Sequence, residues 1–232
     1  MPLIFVPTNL KENYVMSENT KNEKPKTILG EIWEWTYTIL IAVAIALVIK
    51  GFLFDIVQVD GKSMYPTLDD NDRLIITKLG YEPKKGDIII LDSTYKTRSE
   101  YYDGLAAAKG KEHLNLVQKL IKYPTLPKSL KHRYYVKRVI ATEGDTLDIK
   151  DGSVFVNGEK LDEKYYNGVT SVMDTSVTYP IKIDEDCIFV MGDNRNHSKD
   201  SRDSSLGQVP DEAVIGKSQI RIYPFNQIGK TE

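Results

Sequence analysis

The chain has 232 residues and a mass of 26.4 kDa, with 41% hydrophobic residues, 28% charged residues and a net charge of −2. That length holds one ordinary domain, or one domain and an anchor, and the composition excludes a polytopic membrane protein, a collagen-like repeat and a wholly disordered chain. The balanced charge offers no basic field for nucleic acid, the single Cys187 can form neither an internal disulfide nor a Cys-rich zinc site, and three histidines (His113, His132, His197) are too few to suggest a metal cage, so neither metal nor cofactor is expected.

Residues 1–32 are polar, contain Pro7 and Pro25, and read as a disordered cytoplasmic tail. Residues 33–54 read as a transmembrane anchor. Ile39 to Ile49 carries no charge, Lys50 interrupts the run, and Gly51-Phe52-Leu53-Phe54 resumes it. Counted through Lys50, about 20 residues are available, enough at ~1.5 Å per residue to cross a hydrocarbon core of ~30 Å. A lysine near a helix end can lay its stem along apolar surface and send its ammonium to the headgroups. Trp33, Trp35 and Tyr37 at one end, and Phe52 and Phe54 at the other, suit interfacial depths. A buried soluble helix competes with this reading, but Ile39–Ile49 is apolar all round rather than striped. A cleavable secretory signal competes too, but the run starts late and its small-residue triplet Ala42-Val43-Ala44 lies inside the apolar core. Lys11, Lys21, Lys24 and Lys26 precede the run, against Lys50 and Lys62 on the far side, so the N-terminus is expected in the cytoplasm and residues 55–232 outside it.

Beyond the anchor the pattern changes to short strands. Ile56–Val59 alternates into the turn Asp60-Gly61; Arg73–Thr77, Ile88–Leu91, Tyr134–Ile140, Cys187–Met191 and Ile215–Tyr223 are strand-like. Leu147–Ile149 and Val154–Val156 flank Lys150-Asp151-Gly152-Ser153 as a hairpin, and Asn157-Gly158 is a further tight turn. The domain is therefore expected to be mainly β. One stretch, 96–133, breaks the pattern with nine Lys/Arg against three Asp/Glu. Within it, Lys111–Tyr123 places Leu114, Val117 and Ile121 at helical spacing, and Pro124 ends the helix. This basic helical insertion is either a solvated helix packed on the sheet or a surface that rests on anionic headgroups.

Three segments could carry chemistry: Gly61-Lys62-Ser63-Met64-Tyr65-Pro66-Thr67-Leu68, Tyr135-Val136-Lys137-Arg138-Val139, and Met191-Gly192-Asp193-Asn194-Arg195-Asn196-His197-Ser198-Lys199-Asp200-Ser201-Arg202. A serine such as Ser63 is a poor nucleophile unless a base takes its proton. The histidines are one source of a base. Lys137 is another, provided burial on an apolar strand keeps its amine neutral against a free pKa of about 10.4.

Taken together with Gly86-Asp87-Ile88-Ile89, these segments resemble type I bacterial signal peptidases, in that family's order and behind an N-terminal anchor, over residues 33–223. The resemblance implies a signal-peptidase/repressor-protease-like β fold of antiparallel sheets with one N-terminal transmembrane helix. It implies a membrane-bound serine endopeptidase at the outer face of the cytoplasmic membrane, monomeric, in contact with the bilayer and with preprotein signal peptides. Position by position, Ser63 resembles the nucleophile and Lys137 the general base. Ser198 is similar to the serine that orients the lysine. Asp193, Asp200 and Arg202 are similar to a buried charged support tied to Arg138. Met64, Leu68, Tyr135 and Val136 match residues lining shallow pockets for the small side chains at −1 and −3. Gly61 stands where some members carry a serine that helps bind the oxyanion, which leaves the Ser63 N–H as the main donor and is similar to Gram-positive members. Two other functions remain open at this point: a self-cleaving repressor-type Ser-Lys protease, and an anchored, non-catalytic peptide-binding β module.

Overall fold

The computed structural model describes residues 28–166 and 168–231. Of the expected tail, residues 1–27 lie outside these and residues 28–32 are helical. The chain divides into two compact units, residues 1–45 and 46–232. Helix α1 (Ile28–Val48) is 21 residues long, about 31 Å at the standard rise. Its described side chains are exposed throughout, Trp33, Trp35, Leu40 and Leu47 among them. Its two threonine hydroxyls are satisfied inside the helix, Thr36 Oγ1 donating to Ile32 O (2.7 Å) and Thr38 Oγ1 to Glu34 O (2.8 Å), so beyond the first turns, from Ile39 to Val48, the surface it presents is apolar. Residues Ile49–Leu53 continue as a π-helical turn.

In chain order the strands are β1 (Phe54–Gln58), β2 (Arg73–Thr77), β3 (Ile88–Asp92), β4 (Tyr134–Thr142), β5 (Thr146–Lys150), β6 (Ser153–Val156), β7 (Glu159–Lys160), β8 (Ile181–Lys182), β9 (Cys187–Met191), β10 (Val209–Pro210), β11 (Val214–Tyr223) and β12 (Gly229–Lys230). One sheet has the order β1-β2-β11-β3-β4-β9-β10, with β12 on β11; the second has the order β7-β6-β5-β8, and every pairing is antiparallel. The mainly β antiparallel architecture is the one the strand pattern predicts. The β5–β6 hairpin closes through Asp151 (φ 50°) and Gly152 (φ 74°), two successive left-handed residues, as a primed turn requires. Sequence order hides the insertion of β11 between β2 and β3. That neighbour relation depends on Gly216, where a Cβ would sit 2.2 Å from the Thr77 carbonyl oxygen.

Two apolar cores flank the site. Val59, Met64, Leu68, Leu74, Ile76, Ile88 and Ile90 pack under the segment after β1. Ile140, Leu147, Phe189 and Met191, with neighbours from the small sheet, join the two sheets. Cys187 is half-buried at the margin of the second core, and burial pushes its thiol pKa up. Between β3 and β4 lie α2 (Tyr95–Ala107), which the sequence reading missed, and α3 (Leu116–Lys122), shorter than the predicted Lys111–Tyr123 helix. Asn115 starts α3 with a reciprocal capping box to Gln118. The three helically spaced residues part company: Leu114 is buried ahead of the helix, while Val117 and Ile121 point outward.

Candidate active site

Ser63 sits in a turn just after β1. Gly61 opens that turn at φ 85°, a left-handed conformation that favours glycine, and its N–H donates to Asp70 Oδ1 (2.8 Å). The far side is fixed from β9: Asn194 N–H donates to Ser63 O (3.0 Å) and Asn194 Nδ2 to Lys62 O (3.0 Å). Lys137 comes from β4, paired with Ile89 of β3. Four strands apart in sheet order, β1 and β4 would stand ~19 Å from each other in a flat sheet. Residues Val57–Asp60 and Tyr134–Lys137 nevertheless line one cleft of about 280 Å³, so the sheet curls to bring them together.

At the end of that cleft, Lys137 Nζ and Ser63 Oγ are hydrogen-bonded at 2.9 Å. Lys137 is 3% exposed, and its Nζ also donates to its neighbour's carbonyl, Val136 O (2.9 Å). Burial lowers the amine's pKa from 10.5 to about 8, with the carboxylates of Asp200 and Asp193 pulling weakly the other way. As an ammonium the amine donates to the hydroxyl; once neutral it can accept the hydroxyl proton across the same distance. The histidines are engaged elsewhere: His113 with Asp103, His132 with Asp92 and His197 with Asn194. Of the two sources of a base that the sequence left open, only the lysine contacts Ser63.

The charged support is two pairs rather than one. Arg138 clamps Asp193 through Nε (2.8 Å) and Nη2 (2.7 Å) and donates from Nη1 to Gly86 O (2.8 Å). Asp200, expected to tie to Arg138, instead takes Arg202 Nε (2.8 Å) and Nη2 (2.9 Å) and the Gly192 N–H (3.0 Å). Thr67 Oγ1 donates to Asp193 Oδ2 (2.5 Å), so the Arg138 pair binds the serine segment to β4.

The remaining expected residues divide. Tyr135 and Val136 line the cleft, and the Tyr135 ring lies 5.0 Å from Lys137 Nζ. Met64 and Leu68, expected at the pocket surface, are 0% and 1% exposed and belong to the core beneath it. Ser198 is buried, but its Oγ has no hydrogen-bond partner among the described residues; Val136 O holds the lysine where Ser198 was expected to.

Gly192, Asn194, Arg195 and Thr67, whose residue types signal no chemistry of their own, also shape the site. Arg195 is 1% exposed and donates to Gly192 O (3.1 Å), Thr170 Oγ1 (2.6 Å) and Glu163. A Cβ at Gly192 would stand 2.2 Å from Ser198 Oγ and 2.4 Å from the Ser63 carbonyl oxygen. Gly192→Ala should therefore displace the serine backbone and lower kcat/KM by about a hundredfold, the usual cost of an ångström-scale error at a reacting atom. Steady-state cleavage at pH 8 checks this; unaltered kcat/KM would mean that the Gly192–Ser63 contact does not position the hydroxyl.

The family model for signal peptidase, peptidase S26, matches residues 32–223. A signal peptidase I of Bacillus licheniformis is 36% identical over 90% of this chain and 98% of its own length. Signal peptidase I T of Bacillus subtilis is 33% identical over 96% and 99%. A probable signal peptidase I-2 of Synechocystis is 30% identical over 95% and 85%.

Proposed function

Since the chain belongs to the signal peptidase family of S26 peptidases and cleaves signal peptides as a serine protease, we propose that Ser63 is its nucleophile and Lys137 its general base. The observation that carries this reading is a buried amine of lowered pKa, 2.9 Å from one hydroxyl, at the end of a cleft. Neutral Lys137 takes the Ser63 proton as Oγ attacks the scissile carbonyl, then returns it to the leaving amine. The Ser63 N–H, which has no acceptor among the described residues, faces the developing oxyanion. Of the alternatives, a non-catalytic module has no use for a neutral lysine on a serine. A repressor-type protease has no use for an apolar helix such as α1.

The substrate residues before the cleaved bond lie extended in the cleft. Both of its walls offer strand edge: among the described residues β1 pairs only with β2, and Tyr134–Lys137 pair only on the β3 side. Val57, Val59, Ile90, Tyr135 and Val136 shape pockets that admit small side chains at −1 and −3. Helix α1 crosses the cytoplasmic membrane with its N-terminus inside, and the β domain works on the outer side. Ser63 lies nine residues beyond Phe54, at most ~30 Å of extended chain, so cleavage takes place near the bilayer that holds the substrate's own apolar segment.

A pH–rate profile tests the dyad. The reactive form is the neutral amine, so kcat/KM should rise with pH and level off above about 8. Between pH 8 and pH 6 it should fall about fiftyfold, approaching tenfold per unit at the acid end. A profile flat across that interval rejects Lys137 as the base.

A further inference from the structure

Helix α3 is built inside out. Leu116, Val117, Leu120 and Ile121 are 72%, 61%, 62% and 70% exposed, whereas Gln118 and Lys119 are half-buried. The polar side is held inward by specific contacts: Tyr102 OH donates to Lys119 O (3.3 Å), and Lys119 Nζ lies 5.8 Å from the Tyr102 ring centre. Beneath it, Tyr102, Ala106, Leu114, Leu126 and Leu130 close a small core that uses no buried residue from α3. A helix oriented by water alone turns its apolar stripe the other way. The surroundings have one sign of charge. From Lys109 to Arg133 the sequence carries seven cations and a single carboxylate, Glu112, and α3 itself has no acidic residue. Lys111, Lys122 and Lys128 are exposed around it.

We propose that this face is a membrane contact: the four aliphatic side chains enter the boundary between headgroups and acyl chains of an anionic bilayer, and the surrounding lysines meet the lipid phosphates. The proposal rests on α1 being an anchor, which keeps the domain at a bilayer and raises the local concentration of that surface. The lysine rim favours lipid over protein, because protein interfaces are depleted in lysine and a seven-residue helix is small for a stable one.

The test uses the full chain carrying Cys187→Ser and Leu120→Cys, labelled with an environment-sensitive fluorophore. It is reconstituted into phosphatidylcholine vesicles with or without phosphatidylglycerol. In anionic vesicles the label should shift to the blue and be quenched by nitroxides on the lipid chains. The quenching should drop several-fold without phosphatidylglycerol, or when Lys111, Lys122 and Lys128 are changed to glutamine. The same label on Lys150→Cys, in the exposed β5–β6 turn, should remain in water. Flotation with either vesicle type reports α1 separately, and a chain that does not float removes the premise and the proposal with it. A chain that floats while position 120 stays in water overturns the proposal alone. Protection that appears in detergent with rising protein concentration overturns it too, and marks a second copy of the chain as the occupant.

Discussion

Replacing Lys137 with methionine should abolish cleavage and make the β domain harder to unfold. On the dyad proposed above, the activity loss follows from removing the amine that contacts Ser63, a change of about 10²- to 10⁴-fold; Ser63→Ala, which removes the hydroxyl, should cost at least as much. The stability gain has a different origin. In the folded chain the amine titrates at about 8, against 10.5 when free. Between those values the unfolded chain binds the extra proton, so stability rises with pH through that window. Below about pH 8 the lysine is charged in both states, and the folded state carries the whole penalty of a buried ammonium. That penalty is on the order of 3 kcal/mol. Methionine is of similar length and carries no charge, so at pH 7 its domain should melt several degrees higher, with the difference closing above about pH 10.5. Preprotein cleavage and thermal unfolding at the two pH values check both halves. Wild-type cleavage by either variant would remove the dyad; a methionine variant no more stable at neutral pH would mean that the lysine is not held in a desolvated site.

Strands that alternate or form a short apolar run, and turns that need left-handed residues, were legible in the sequence. Arg73–Thr77 and Cys187–Met191 are strands over the residues predicted, and Asp151-Gly152 closes its hairpin as the dipeptide implies. Sheet order was not legible, because it depends on a long-range contact whose only local trace is Gly216 against Thr77. That Ser63 and Lys137 meet was legible because two residue types of complementary chemistry stand in recognisable segments. Their supports were harder. Ser198 was expected to hold the amine by its hydroxyl, yet the lysine bonds to the carbonyl of its own strand, a partner that no side-chain pattern announces. Met64 and Leu68 look like pocket residues by position, but the turn after β1 directs both into the core. In α3 the hydrophobic spacing marked a helix but left open which of its faces meets protein. Periodicity says that a helix has two faces; which of them meets protein is decided by neighbours such as Tyr102.

The two ways of disturbing Asp193 should separate its structural role from its electrostatic one. Asp193→Ala leaves the Arg138 guanidinium, 4% exposed, without its carboxylate and the Thr67 hydroxyl without its acceptor. Breaking a buried ion pair from one side costs about 3–5 kcal/mol, because the surviving charge keeps its desolvation penalty. The double variant Arg138→Met with Asp193→Leu should be milder than Asp193→Ala alone, since neither charge then remains; urea unfolding of wild type and the two variants tests that order. Asp193→Asn keeps the shape and one acceptor oxygen, and so most of the clamp, while deleting the negative charge. That charge favours the Lys137 ammonium and holds the amine's pKa above where burial alone would put it. Removing it should therefore extend activity to lower pH, moving the acid limb of the rate profile downward even if the plateau falls. A limb that stays in place, with only the plateau reduced, would mean that Asp193 serves the reaction through the Arg138–Thr67 clamp and not through its field at the lysine.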